Sequence, residues 1–382
     1  MPRDWYDIKF LESASNVRSI INKSSGRSIS ASIAREIAVC IQQGRLFFEA
    51  AETAPLQIKP LQIYYGVVAF AKAVVVAKRR TSLATLASTH GLTDITRHDT
   101  RVEDLALRIS STGGFQEFND AIAPLGRIWY YDQYMPRWFE KRFDLSEGLA
   151  GQQVDLKDIL SRIPNLSESF RQTFSEQANA ALIYLDFEPP VGNVCTLRID
   201  DPNLFSDRSS LVASVKKWRS SYPFLDRWRF KSAMHAWGSA ILLFDNFDLA
   251  RIDDVSEEQL TPSDNNGFSA RSSPIRGQHS IVPAVDILPP LSGGYVHDAA
   301  TFAMRPLAGN CLPEYSLQLL GTFLLSSLVR YRPHVWQSAI SRSIFQQSPA
   351  DDRALSLVEK FLDRVQADFP EMVVRVIDYS RA

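Results

Sequence analysis

The run from Ala50 to Gly66, AAETAPLQIKPLQIYYG, limits what this chain can fold into more than any other stretch. Pro55 and Pro60 fix their own φ and lack a backbone N–H, so neither suits a helix interior, but the second is at home in a helix's first turn. Upstream, from Ser30 or Ser32 as a cap, Ile33, Ile37, Cys40, Ile41, Phe47 and Phe48 recur at helical spacing, with Gly44 weakening the middle. Downstream, Leu61 to Ala77 is apolar nearly all round and closes on Lys78, Arg79 and Arg80, charges that complement a helix C-terminus. The expected product is an antiparallel helical hairpin turning at the prolines.

Whether so apolar a helix belongs to a membrane or to a core is a question of length and composition. Leu61 to Ala77 and Leu317 to Val329 both fall short of the roughly 20 residues a spanning helix needs, and Lys72 interrupts the first. A chain of 382 residues, 45% hydrophobic and 22% charged, can bury such helices in a core, and no membrane contact is expected. The opening MPRDWYDIKFLESAS mixes charges among its apolar residues and does not read as an export signal. Cys40, Cys195 and Cys311 are too few and too scattered for a disulfide framework or a zinc site, which suits a reducing cytoplasmic compartment. A net charge of −1 excludes a globally basic nucleic-acid binder.

Beyond His90-Gly91 the chain turns mixed and polar, and Gly113-Gly114 marks a turn. An aromatic and charged tract, Ile128 to Phe143, precedes a short helix around Leu156 to Ile163. ALIYLDFEP and NVCTLRIDD read as strands of a small antiparallel sheet, while SAILLFDNFDLARID fits either a strand pair or a helix end. Asp253 to Gly294 is rich in Ser, Asp, Asn, Gly and Pro and reads as a long polar surface loop. A strand in YVHDAATFAMRPL leads to an apolar helix from about Ser316 to Tyr331, which Pro333 ends or bends. The last helix presents Leu355, Val358, Phe361, Leu362, Val365 and Phe369 on one face, with Asp351 and Asp352 near its start. The expected class is α+β and predominantly α-helical: an N-terminal helical bundle, a small antiparallel β region in the middle, and C-terminal helices packing back on the bundle. The corresponding regions are 1–178, 179–300 with the polar loop 253–294, and 301–382.

Five segments in order, AETAPLQIKPLQIYYG, His90 to Leu92, DILSRIPNL at Asp158 to Leu166, LLSSLVRYRPHVW and FLDRVQADFPEMVV, resemble the YaaC-like protein family. The residues carrying that pattern here include Pro55, Lys59, Pro60, Tyr64, Tyr65, Gly66, His90 and Gly91. The stretch from Asp200 to Gly294 looks expanded against the family pattern, and nothing is carried over onto it. The family is uncharacterised, so the resemblance implies no activity. The hairpin alone is similar to HEPN domains, whose members bind nucleotides or cut RNA, through Arg45, Ala50, Ala51, Tyr64, Tyr65 and His90-Gly91.

HEPN ribonucleases pair an Arg with a His a few residues on, so that a guanidinium and an imidazole face one phosphate. Arg229 and His235 in RFKSAMH have that spacing, which also arises by accident in a chain this rich in arginine, so a structural His235 competes with a catalytic one. Around them, Lys216, Lys217, Arg219, Arg227, Arg229 and Lys231 interleave with Trp218, Tyr222, Phe224, Trp228, Phe230 and Trp237. Cations with aromatic faces suit single-stranded nucleic acid; an amphipathic helix with an aromatic core side explains the same pattern. Arg330, Arg332 and His334 end an apolar helix, where the dipole favours cations and a site can also form. There is no Gly-rich phosphate loop, His-Glu-x-x-His, paired-Cys motif or serine nucleophile elbow, so no cofactor or metal is expected. His90, His98, His279 and His297 lack metal-ligand spacing, and Asp253 and Asp254 read as a solvated acidic loop. The expectation is a binding or interaction module for single-stranded nucleic acid or a protein partner. Its alternatives are a HEPN-like, metal-independent ribonuclease in stress or phage defence, and a scaffold subunit.

Overall fold

The computed structural model describes residues 5–26, 28–97, 101–123, 128–132, 137–141, 148–187, 195–236, 238–248, 255–263, 266–270, 280–281, 300–307, 309, 312–340 and 353–377. The expectations for His98, Asp253, Asp254, His279, His297, Cys311, Trp237, Asp351 and Asp352 lie outside these residues. The helices are α1 (Tyr6–Leu11), α2 (Ala14–Ser25), α3 (Ala31–Thr53), α4 (Lys59–Arg79), α5 (Gly114–Ile122) and α6 (Leu156–Leu160). They continue as α7 (Ser167–Phe174), α8 (Arg208–Ser221), α9 (Glu314–Tyr331), α10 (Pro333–Ile340) and α11 (Leu355–Ile377). The strands begin with β1 (Leu92–Asp94), β2 (Ala106–Ile109), β3 (Ile128–Asp132), β4 (Arg137–Lys141), β5 (Gln153–Asp155), β6 (Ala180–Phe187) and β7 (Cys195–Asp201). They end with β8 (Arg229–Ala236), β9 (Ser239–Asp245), β10 (Phe247–Asp248), β11 (Leu260–Ser263), β12 (Gly267–Ala270), β13 (Ser280–Ile281) and β14 (Ala300–Met304). The chain divides into two compact units, one of residues 1–125, 144–179 and 307–382, the other of 126–143 and 180–306.

The first unit is helical and joins the N-terminal hairpin to the C-terminal helices. Ser30 caps α3 by accepting from the Ile33 N–H, and Pro60 lies in the first turn of α4. The two helices cross at a pair of glycines. A Cβ on Gly44 would lie 2.6 Å from the Phe70 ring, and one on Gly66 would overlap Phe48 outright. The absent side chains therefore let Phe48 and Phe70 meet edge to face, with centroids 5.3 Å apart. Gly44 is thus the contact point of the hairpin as well as a weak position within its helix.

Helices α9 and α11 pack back on α4, and α9 is buried at every position from Ser316 to Leu328. Of the described helices, α4 alone is long and apolar enough to cross a membrane by those measures, and 72% of its apolar window is buried inside the fold. It is the central core helix of this unit. Pro333 opens α10 directly after α9, whose C-cap is Arg332. Pro370 sits inside α11, so the apolar face that the sequence ends at Phe369 runs on through Met372, Val373 and Val376. A three-stranded antiparallel sheet, in the order β1-β2-β5, occupies the stretch that the sequence left as mixed and polar. Its strands are three or four residues long, too short for a period-two pattern to stand out.

The second unit is built on a seven-stranded antiparallel sheet in the order β11-β12-β8-β9-β7-β6-β14. Leu197 opposite Phe244 and Ile199 opposite Leu242 set the register, which turns alternate residues of β6, β7 and β9 toward one core face. Helix α8 covers that face with Leu211, Val215 and Trp218.

Here the structure corrects the sequence reading in two places and decides an open alternative in a third. Lys216 to Trp237 is no single amphipathic helix: α8 stops at Ser221, before Pro223, and a 3-10 turn leads into β8. The stretch SAILLFDNFDLARID supplies β9 and β10, which decides for strands. Within the expected polar loop, β11 and β12 form a hairpin that extends the sheet, pairing Leu260 with Ala270. The aromatic tract Ile128 to Phe143 contains a hairpin of β3 and β4, pairing Trp129 with Glu140.

Candidate functional site

The arginines singled out from sequence differ most in whether the fold leaves them a charge to use. Arg45 is buried on α3 and shared between Glu12 and Glu49, so it clamps α1 to α3. Arg332 donates to Asp94 at 2.7 Å and to the Thr96 carbonyl at 3.1 Å, tying the end of α9 to β1. Ser327 donates to the same carboxylate. Burial pushes the Asp94 carboxyl up, but the bonds from Ser327, Thr96 and Arg332 outweigh it and hold it below the usual carboxylate range. Arg229 forms a two-pronged pair with buried Asp245 across β8 and β9. Arg219 is buried and donates to the Trp228 carbonyl.

Arg330 is the exception. Its Nε donates to the Ser326 carbonyl at 3.2 Å and its Nη2 lies 3.5 Å from the Ser326 hydroxyl, both within its own helix. Among the described residues no carboxylate pairs with it. Its guanidinium lies 5.9 Å from the centroid of the Tyr64 ring and 5.0 Å from that of Tyr331.

His90 completes the corner. Its backbone is docked on the start of α5, where the Gly114 and Phe115 N–H groups donate to the Thr89 and His90 carbonyls at 2.9 Å each. Gly91 follows with φ +72 and abuts Gly113, an approach no side chain would allow. The His90 ring packs against Phe323 and Tyr64, and its Nδ1 lies 3.0 Å from the Tyr64 hydroxyl. That hydroxyl is buried, its pKa is raised by burial, and His90 is its partner. A buried phenol with one partner donates to it, because the other choice orphans its own hydrogen. Nδ1 is then the acceptor, and the tautomer carries its proton on Nε2, which has no hydrogen-bond partner among the described residues; His90 itself is exposed.

Burial lowers the His90 pKa, and the charges of Arg330 and Lys72 lower it further. Lys72 is exposed and has no ion pair among the described residues. A neutral N–H donor and the Arg330 guanidinium therefore flank the same Tyr64 ring, with the charge of Lys72 in the surrounding field. Such a group can receive an anion; with its outward nitrogen already protonated, His90 is poorly arranged to act as a general base on a bound ligand.

The other expected residues do not gather. Arg229 and His235 stand at opposite ends of β8, six residues and roughly 20 Å apart at the usual strand rise. A bulge between Phe230 and Ser232 also turns them to opposite faces of the sheet. His235 packs on Phe205, ring centroids 4.2 Å apart, with its Nε2 buried and unbonded. Trp218, Tyr222 and Trp228 are in the core, Trp218 donating to Asp201 at 2.7 Å, so none presents a face to a base. Lys216, Lys217, Arg227 and Lys231 are exposed, as is His334 on α10.

Of the motif residues, Pro55 accepts the Ile58 and Lys59 N–H groups in the turn, and Lys59 pairs with Asp363 at 3.1 Å. Tyr65 packs its ring on Phe47, 39% exposed. Lys72, whose charge acts on His90, registered in the sequence only as an interruption of an apolar helix. Among the described residues no group of three or more His, Cys, Asp or Glu could hold a metal.

No curated protein and no solved structure matches the chain. The family model described as YaaC-like Protein matches residues 9–377, nearly the whole length, and so takes in the hairpin, the His90 corner and α9 together. The chain belongs to the YaaC-like family.

Proposed function

We propose that this protein is a binding module, and that its site is the corner of His90, Arg330 and Lys72, which takes up an anionic group. The observation that carries the reading is Arg330: a guanidinium held by its own helix and left, among the described residues, without a carboxylate, near an imidazole whose Nε2 has no partner there. The expected nucleic-acid role fits this corner better than the tract around Trp228, whose aromatic rings are spent in the core. A ribonuclease using Arg229 and His235 has no shared site to work from. The buried Cys40 and Cys195, neither in a disulfide, support a reducing, cytoplasmic setting.

The test is a sulfate titration followed by NMR of the His90 imidazole, in the native protein and in Arg330→Gln. The expected result is a saturable shift of the His90 signals that weakens about tenfold or more in the variant. Signals that ignore sulfate, or that respond equally in Arg330→Gln, would overturn the reading.

A further inference from the structure

We infer that the anion received at the His90 corner is the phosphate of a nucleotide unit, whose base stacks on Tyr331; this rests on the anion-site reading above. Tyr331 is 68% exposed, against 1% for Tyr64, and both rings lie against the same Arg330 guanidinium. That guanidinium thus links the buried end of the corner to an open aromatic face.

A receptor for a bare inorganic ion needs donors and charge only. An aromatic ring beside those donors, wet over most of its surface, adds what a planar, weakly polar group would cover. The platform is also fixed in place. Arg330 is held by Ser326 on one side of Tyr331, and Arg332 on the other side is held by Asp94 and Thr96. Two anchored neighbours at the end of α9 limit how far the ring's backbone can move, which lowers the ordering cost of stacking. Arginine itself stacks on bases and pairs with phosphate, so Arg330 serves both halves of the ligand. The same chemistry is offered by a free mononucleotide and by a unit within a single strand.

The experiment compares inorganic phosphate, AMP and a single-stranded oligouridine on the native protein, Tyr331→Ala and Lys72→Ala. Both substituted side chains are exposed, and circular dichroism verifies that the variants fold. The expected result is that AMP or the oligonucleotide binds about tenfold tighter than phosphate, and that Tyr331→Ala removes this margin while leaving phosphate binding intact. Lys72→Ala weakens all three. Equal binding of AMP and oligonucleotide supports the inference with a free nucleotide as its source; affinity that grows with strand length supports it with a strand as its source. Phosphate binding as tight as AMP and oligonucleotide binding, or a silent Tyr331→Ala, overturns the inference and leaves the anion site standing. Binding of none of the three overturns both.

Discussion

The buried hydroxyl of Tyr64 donates to Nδ1 of His90 across 3.0 Å and so decides which edge of the imidazole carries the outward proton. In Tyr64→Phe, Nδ1 loses that donor and the tautomer preference with it. Nitrogen shifts of His90 are expected to move from the Nε2–H form toward a mixture, and sulfate affinity is expected to fall roughly three- to tenfold. An unchanged tautomer would show that the hydroxyl does not set it.

The depressed pKa of His90 gives the site a pH dependence of known sign. Burial, Arg330 and Lys72 all favour the neutral ring, so the free protein holds fewer protons on His90 than an unperturbed histidine near pH 6.5 would. A bound anion favours the imidazolium, so binding takes up a proton and sulfate affinity rises as pH falls from about 8 to about 5.5. Sulfate keeps its charge over that range, which phosphate does not. Isothermal titration in buffers of different ionisation enthalpy measures the proton taken up; none would remove His90 from the site. In the absence of anion the same depression costs stability as pH falls below about 6.5, since the unfolded histidine protonates first.

Glu314 and Asp368 face one another at the start of α9, with Arg364 as the cation between them, 2.6 Å from Asp368 and 3.7 Å from Glu314. Gln318 donates to Asp368, while Glu371 and Arg375 lie in the surrounding field. Burial, then the charge of Asp368, pushes the Glu314 carboxyl up to about 7. Folded protein therefore keeps a proton that the unfolded chain releases near pH 4.3, and stability falls as pH rises from there through about 7. Glu314→Gln is expected to flatten that slope. Urea midpoints at pH 5.5 and pH 8 measure it, and parallel losses in variant and native protein would dismiss the shared proton.

Gly66→Ala would drive a methyl into the Phe48 ring at the α3 and α4 crossing. The expected cost is about 1–3 kcal/mol, read as a drop in urea midpoint at unchanged m. A neutral effect would mean that the helices separate freely at this point.

Arg229→Gln and His235→Gln should leave anion binding within error of the native value, because Arg229 is paired with Asp245 and His235 packs on Phe205. Loss of binding in both variants, with folding intact, would return the site to β8.

How much of this was legible depended on the range of the interaction. The hairpin was readable because its causes are local: a capping Ser30, the prolines at 55 and 60, and apolar periodicity on both sides. The strands β6 and β7 announced themselves by alternation, whereas β1, β2 and β5 were too short to do so. The tract around Trp228 stayed ambiguous because mixed basic and aromatic residues look alike whether the rings stack on a ligand or fill a core. Register alone settles that, and register comes from partner strands far away in sequence.

The sequence by itself determined the helical hairpin, the largely helical class and the YaaC-like kinship, all carried by neighbouring residues or by motifs in order. Only the tertiary structure decided which arginine is free to act. Arg45 meets Glu12 from 33 positions away and Arg332 meets Asp94 from 238, and both are neutralised there. Arg330, two residues before Arg332, points instead toward Tyr64 and His90 and keeps its charge. Charge pairing acts over a few ångströms in space and without regard to distance along the chain, so which arginine stays unpaired is decided by which carboxylates the fold brings to its neighbours.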